Sequence, residues 1–128
     1  MAKIAIIGAG NLGNSIALGL ISSKQYPASS ITVCRRQIAK LGKLKGLGAN
    51  VMTDINEAIA DAAIILVCVQ PNQFKEIAKT IGAKLNIEKQ TIVSTMTGIS
   101  IAEIETTLGL ANVKVVRAMP NTAIAVQE

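Results

Sequence analysis

Three glycines at fixed spacing, Gly8, Gly10 and Gly13, stand directly behind the apolar run Lys3-Ile4-Ala5-Ile6-Ile7. They stand directly ahead of a helical pattern carried by Leu12, Ile16 and Leu20. Strand, glycine turn and helix in that order form the context in which G-x-G-x-x-G holds a pyrophosphate. Each glycine has its own physical task there. Gly8 permits the tight turn, Gly10 lacks the Cβ that would block a phosphate, and Gly13, with Ala17 a turn later, lets the helix lie close to the sheet. Free N–H groups and the dipole at the helix start then favour negative charge. Alone the motif is a weak signal, because three glycines also serve a tight turn and close packing with no ligand at all.

A second group of residues bears on which ligand. A binder of NAD places an acidic residue at the end of the second strand, about 20 residues past the glycines, to hold the ribose 2′-OH. Here that position reads Cys34-Arg35-Arg36. Two guanidinium groups where a 2′-phosphate would project can form charge-assisted bonds to it. The other reading is solvated surface charge. With the glycine motif upstream, the missing carboxylate and the two cations together favour NADP(H) over NAD(H).

Other chemistries are poorly supplied. The chain has no histidine, which removes His-dependent triads, imidazole acid/base catalysis and His-containing metal sites; no metal site is expected. Its two cysteines, Cys34 and Cys68, lie in separate strand-like runs without C-x-x-C spacing. They read as reduced thiols packed as small hydrophobes, in keeping with a reducing, cytoplasmic compartment. Ser94 and Thr95 have no partnering base, so packing or backbone hydrogen bonding is expected of them rather than nucleophilic attack. The net charge of +5 arises from lysines scattered along the chain without an aromatic platform, a pattern that suits anionic small molecules and not nucleic acid. No apolar run approaches the roughly 20 residues of a membrane span, and no basic leader precedes the first strand, so no membrane partner is expected.

The elements that must position these residues alternate. Ile31 to Cys34 is a β-branched strand signal. Ile38, Leu41, Leu44 and Leu47 at three-residue spacing predict an amphipathic helix packed on a sheet. A short strand at Asn50 to Met52 follows, then a brief helix through Ala60 that Asp54 and Glu57 can cap. The continuous apolar run Ala63 to Val69 is what a central parallel strand covered on both faces requires. Phe74, Ile77, Ala78, Ile81 and Leu85 share one helical face, with Asn72 as the expected N-cap. Thr91 to Thr95 makes a fifth strand, Ser100 and Glu103 a second capping box, Gly109 a helix stop, and Val113 to Met119 a sixth strand. Half of the 128 residues are apolar, with Tyr26 and Phe74 the only aromatics; the core is therefore aliphatic and large enough for one domain. The expected fold is α/β, a doubly wound, Rossmann-type parallel sheet of about six strands in the order 3-2-1-4-5-6. Ligands of such a sheet lie beyond the carboxyl ends of its strands, which selects Gly8 to Gly13, Arg35-Arg36, Val69 to Pro71, Met96 to Gly98 and Met119 to Thr122.

These same segments carry a family resemblance. Ile4 to Gly13, the arginines after strand two, Ile64 to Pro71, Ser94 to Gly98 and above all Val115-Val116-Arg117-Ala118-Met119-Pro120-Asn121-Thr122 resemble the N-terminal domain of pyrroline-5-carboxylate reductases. The resemblance spans essentially the whole chain. It implies NAD(P)H-dependent reduction of 1-pyrroline-5-carboxylate to proline, the last step of proline biosynthesis. It also implies that Gly8, Ala9, Gly10, Asn11, Leu12 and Gly13 hold the pyrophosphate, Arg36 with Arg35 the 2′-phosphate, and Val69, Gln70, Pro71 and Thr97 the nicotinamide half. Met119, Pro120, Asn121 and Thr122 would border the small-molecule imine. Hydride transfer to an already electrophilic C=N carbon needs orientation and burial more than an ionising side chain, and no catalytic residue is assigned.

The chain departs from the family at several positions. Gln70 stands where the family has lysine, Met96 and Thr97 where it has two alanines, and Ala123 where it has proline. A different imine or carbonyl substrate is therefore left open. The family also continues into a helical domain that dimerises and completes the substrate site. Residues 1–128 are thus read as the dinucleotide-binding domain alone, inactive by itself, with a homodimer expected mainly where that second domain is present. The alternative is a stand-alone NADP(H)-binding module or subunit without catalysis of its own.

Overall fold

The run Ile4–Ile7 forms β1, and all four of its residues are buried. Burial follows from its place in the sheet. Ile4 is level with Ile31 of β2 (Ile31–Cys34) on one edge and with Ile64 of β4 (Ile64–Val67) on the other, both parallel to it. With β3 (Asn50–Met52), β5 (Thr91–Ser94) and β6 (Lys114–Arg117) the sheet has six strands in the order β3-β2-β1-β4-β5-β6. That is the doubly wound order expected from the alternation of elements. The structure is a computed structural model and describes residues 3–8, 10–24, 26–35, 42–96 and 98–118.

Because successive strand residues point to opposite faces, two aliphatic cores form. Ile4, Ile6, Ile31, Val33 and Leu66 pack beneath α1 (Asn11–Ser22) and α2 (Gly42–Gly46), which contribute Ile16, Ala17 and Leu44. Ala5, Ile7, Ile65, Val67 and Ile92 pack on the other face against α3 (Ile55–Ile59), α4 (Pro71–Lys84) and α5 (Ile101–Leu108). Phe74, Ala78 and Ile81 are the buried stripe of α4, as their spacing requires. Ser94 is buried and its Oγ accepts from the Met96 N–H at 3.2 Å, while the Thr95 hydroxyl donates to the Val67 carbonyl at 3.2 Å. Both hydroxyls thus bond to backbone groups.

Local signals held at several helix ends. Ser100 and Glu103 form a reciprocal box at the start of α5: the Glu103 N–H donates to Ser100 Oγ at 3.1 Å and the Ser100 N–H to Glu103 Oε1 at 3.3 Å. Gly109 ends the helix with φ +74, a left-handed conformation that costs glycine nothing. Asp54 caps α3, although it accepts from the N–H of Asn56.

Three expectations need correction. Helix α4 starts at Pro71, with Gln70 and not Asn72 as its N-cap. Proline at the first helical position has its φ already set and no N–H to leave unpaired, so it draws the start two residues back. The Gln73 Oε1 accepts from the Gln70 N–H at 3.1 Å and closes that turn. Leu47 is 47% exposed; α2 ends at Gly46 and the chain reverses at Gly48, φ +102, before Leu47 can join Leu44 in the core. The expected partners Ile38 and Leu41 lie outside the described residues. Finally, β4 ends at Val67, so Cys68 and Val69 belong to the loop that follows it.

Candidate functional site

The order of the strands reverses between β1 and β4, so the chains leaving their carboxyl ends run in opposite directions and leave a crevice. A cleft of about 790 Å³ lies there. From the β1 side it is lined by Ile7, Gly8, Gly10 and Leu12, from the β2 side by Cys34 and Arg35, and from the β4 side by Cys68, Val69, Gln70 and Pro71. Thr95 and Met96 close it at the end of β5.

The glycines set the shape of its floor. Gly8 has φ +84, its N–H donates to the Cys34 carbonyl at 2.9 Å, and a Cβ on it would collide with Val69 Cγ1. Only glycine fits such a turn. A Cβ on Gly10, by contrast, would meet nothing within 4 Å among the described residues. Gly13 lies behind the wall: a Cβ there would stand 2.9 Å from the Gly8 carbonyl oxygen and 3.4 Å from Ile6 Cγ2. Among the described residues no side chain caps α1, whose N-cap is Gly10, so the first N–H groups of the helix remain available beside the cleft.

The ionisable groups in the wall are Arg35 and two thiols, Cys34 and Cys68. Burial raises the Cys34 pKa to about 11, with the Asp54 carboxylate adding to the shift. Burial also raises that of Cys68, with the nearby Thr95 side chain acting against the shift. Both thiols are free and held protonated, which makes them poor nucleophiles and poor metal ligands. No group of three or more His, Cys, Asp or Glu able to hold a metal ion occurs among the described residues.

Of the residues singled out in the sequence, Gly8, Gly10, Leu12, Arg35, Val69, Gln70 and Pro71 share this one cleft. Ala9, Arg36, Thr97, Met119, Pro120, Asn121 and Thr122 lie outside the described residues, as does the side chain of Asn11. The cleft also takes Thr53 from the loop after β3, Ile55 from the start of α3, and Gln73 and Ile77 from α4, none of which the sequence reading named as a site residue. The signal for Thr53 was available, since the rule that selected the carboxyl ends of the other strands applies equally to β3.

Sheet order, glycine turn and cleft together define a Rossmann-type α/β domain open at its switch point. The chain belongs to the family described as NADP oxidoreductase coenzyme F420-dependent, which matches residues 3–98. It is 39% identical over 121 residues, 94% of its length, to pyrroline-5-carboxylate reductase 1 of Dictyostelium discoideum, of which it covers 22%. The pyrroline-5-carboxylate reductase of Coxiella burnetii superposes with a TM-score of 0.89 at 31% identity, over 98% of this chain and 46% of that one. The Plasmodium falciparum pyrroline carboxylate reductase, solved with NADP bound, superposes with a TM-score of 0.86 at 21% identity over 99% of this chain and 45% of that one; at that identity the likeness is one of fold. The chain spans less than half the length of these relatives. No helix among the described residues is long and apolar enough to cross a membrane.

Proposed function

We propose that this chain is the cofactor-binding part of an NADP(H)-dependent oxidoreductase of the pyrroline-5-carboxylate reductase type, acting on a small cyclic imine in proline formation. The observation that carries this reading is the empty approach to Gly10. A Cβ there would stand in open space at the mouth of an uncapped helix, which is the cradle a pyrophosphate needs and which packing alone does not ask for. The cleft's size suits a dinucleotide half-buried along it. Homology to reductases over 94% of the chain supports the reaction type, and membership of a family described as NADP oxidoreductase supports the choice of cofactor.

When bound, the cofactor supplies a hydride. The chain's own residues bind and orient. The N–H groups at the start of α1 hold the pyrophosphate with Gly8, Ala9, Gly10, Asn11, Leu12 and Gly13 around it. Arg35 and Arg36 hold the 2′-phosphate as charged donors. Val69, Gln70, Pro71 and Thr97 flank the nicotinamide half, and Met119 to Thr122 border the substrate. An imine carbon is already electrophilic, so positioning and exclusion of water are what this half has to provide.

Calorimetric titration of the purified chain with NADPH and NADH tests the reading. Tighter binding of NADPH is the expected result, and binding of neither removes the proposal. The relatives are more than twice as long, so residues 1–128 alone are expected to bind NADPH without meaningful reduction of pyrroline-5-carboxylate. Robust turnover by that stretch would show instead that self-association builds the second wall of the substrate site.

A further inference from the structure

Strands β2 and β3 run in parallel register, Val33 level with Val51 and Cys34 with Met52. The ladder continues one residue past both strands, where the Arg35 N–H donates to the Met52 carbonyl at 3.1 Å. Arg35 and Thr53 are thereby neighbours on adjoining chains, about 5 Å apart at ordinary strand spacing. Both residues line the cleft. Thr53 is exposed, and its hydroxyl has no hydrogen-bond partner among the described residues. The two residues after it do not compete for the same role. Asp54 turns its carboxylate to the Asn56 N–H at 2.9 Å and caps α3, and Ile55 adds only apolar surface to the wall.

A neutral hydroxyl on a short, β-branched side chain beside a long guanidinium makes a donor pair suited to a phosphate monoester, whose oxygens accept and do not donate. The stiffness of threonine at χ1 keeps its donor in place at little entropic cost. We infer that Thr53 is a further specificity residue for the cofactor, its hydroxyl donating to the adenosine-ribose 2′-phosphate that Arg35 approaches from the adjoining strand. This rests on the NADP(H) reading above. NADH carries only a hydroxyl at that position and offers no phosphate oxygen to accept from Thr53, so the contact separates the two cofactors and does not merely strengthen both.

The test is calorimetric titration of the wild-type chain, Thr53→Val and Thr53→Ser with NADPH and with NADH, with thermal unfolding of each variant to confirm that it folds. Valine keeps the shape and β-branching and removes the hydroxyl; serine keeps the hydroxyl. Thr53→Val is expected to weaken NADPH about three- to tenfold, the range for one solvent-reachable hydrogen bond, and to leave NADH within about twofold. Thr53→Ser should retain NADPH affinity. Unchanged NADPH binding by a folded Thr53→Val variant, or equal weakening of both cofactors, overturns the assignment while the NADP(H) reading stands. Failure of the wild-type chain to bind NADPH removes both, and the wild-type titration in the same series tells the two failures apart.

Discussion

Gly13 is held so close to Gly8 that a Cβ on it would stand 2.9 Å from the Gly8 carbonyl oxygen, a distance side-chain carbons do not adopt against backbone. The helix start and the turn beneath it are thus packed backbone to backbone. Gly10, two residues after Gly8, faces no such neighbour. One motif therefore contains two kinds of glycine, and substitution should separate them.

Gly13→Ala is expected to lose about 1–3 kcal/mol of stability, the usual cost of forcing an extra carbon into a packed site. Gly10→Val should stay folded, with a change within about 1 kcal/mol at an N-cap position, and should no longer bind NADPH. Thermal unfolding and NADPH titration on the same two proteins check this. Normal binding by folded Gly10→Val would remove the main support for a pyrophosphate at the turn.

The arginines after β2 are expected to read phosphate and not the rest of the nucleotide. Arg36→Ala should weaken NADPH by about 1.5–3 kcal/mol, the range for hydrogen bonds to charged groups, and barely alter NADH. Added salt should lower the wild-type preference, since the attraction lies near the surface and is screened. Equal affinities for both cofactors in the wild-type chain would mean that the pair is ordinary surface charge.

Cys34 makes stability fall in alkali. Its folded-state pKa, about 11, lies above the ordinary thiol value of 9.0, so between those values the unfolded chain releases a proton that the folded one keeps. The stabilisation is fully present below pH 9 and is lost as pH rises towards 11, by up to roughly 2 kcal/mol. Urea unfolding at pH 8 and pH 10.5 should show a smaller drop for Cys34→Ala than for the wild type. At neutral pH the same thiol should react slowly with alkylating reagents.

Gln90 joins three segments. Its Nε2 donates to the carbonyls of Ile59 at 2.7 Å and Ala62 at 2.8 Å, and its Oε1 accepts from the Asn86 N–H at 2.9 Å. Gln90 is only 5% exposed, so Gln90→Ala leaves buried backbone groups without this partner and should cost about 2–4 kcal/mol. NADPH affinity of the folded variant should be unchanged, because Gln90 lies at the opposite end of β5 from the cleft. Denaturant midpoints together with titration decide the point.

The amino-acid sequence by itself determined the sheet and the place of its cleft. Short apolar runs such as Ile4 to Ile7 and Ile64 to Val67, followed by turn residues, suit parallel strands covered by helices, and strands alternating with helices leave few topologies open. The start of α5 at Ser100 and its end at Gly109 were legible too, because caps join residues three or four apart and are written in local sequence. The tertiary structure alone decided what long-range register brings together. Gln90 reaches partners 31 and 28 positions away, and Thr53 meets Arg35 only because Cys34 is level with Met52. Nothing in either local stretch states that pairing. Register is settled by which side chains fill the two cores, a property of all six strands at once, and so the outline of the cleft could be read from the chain while part of its wall could not.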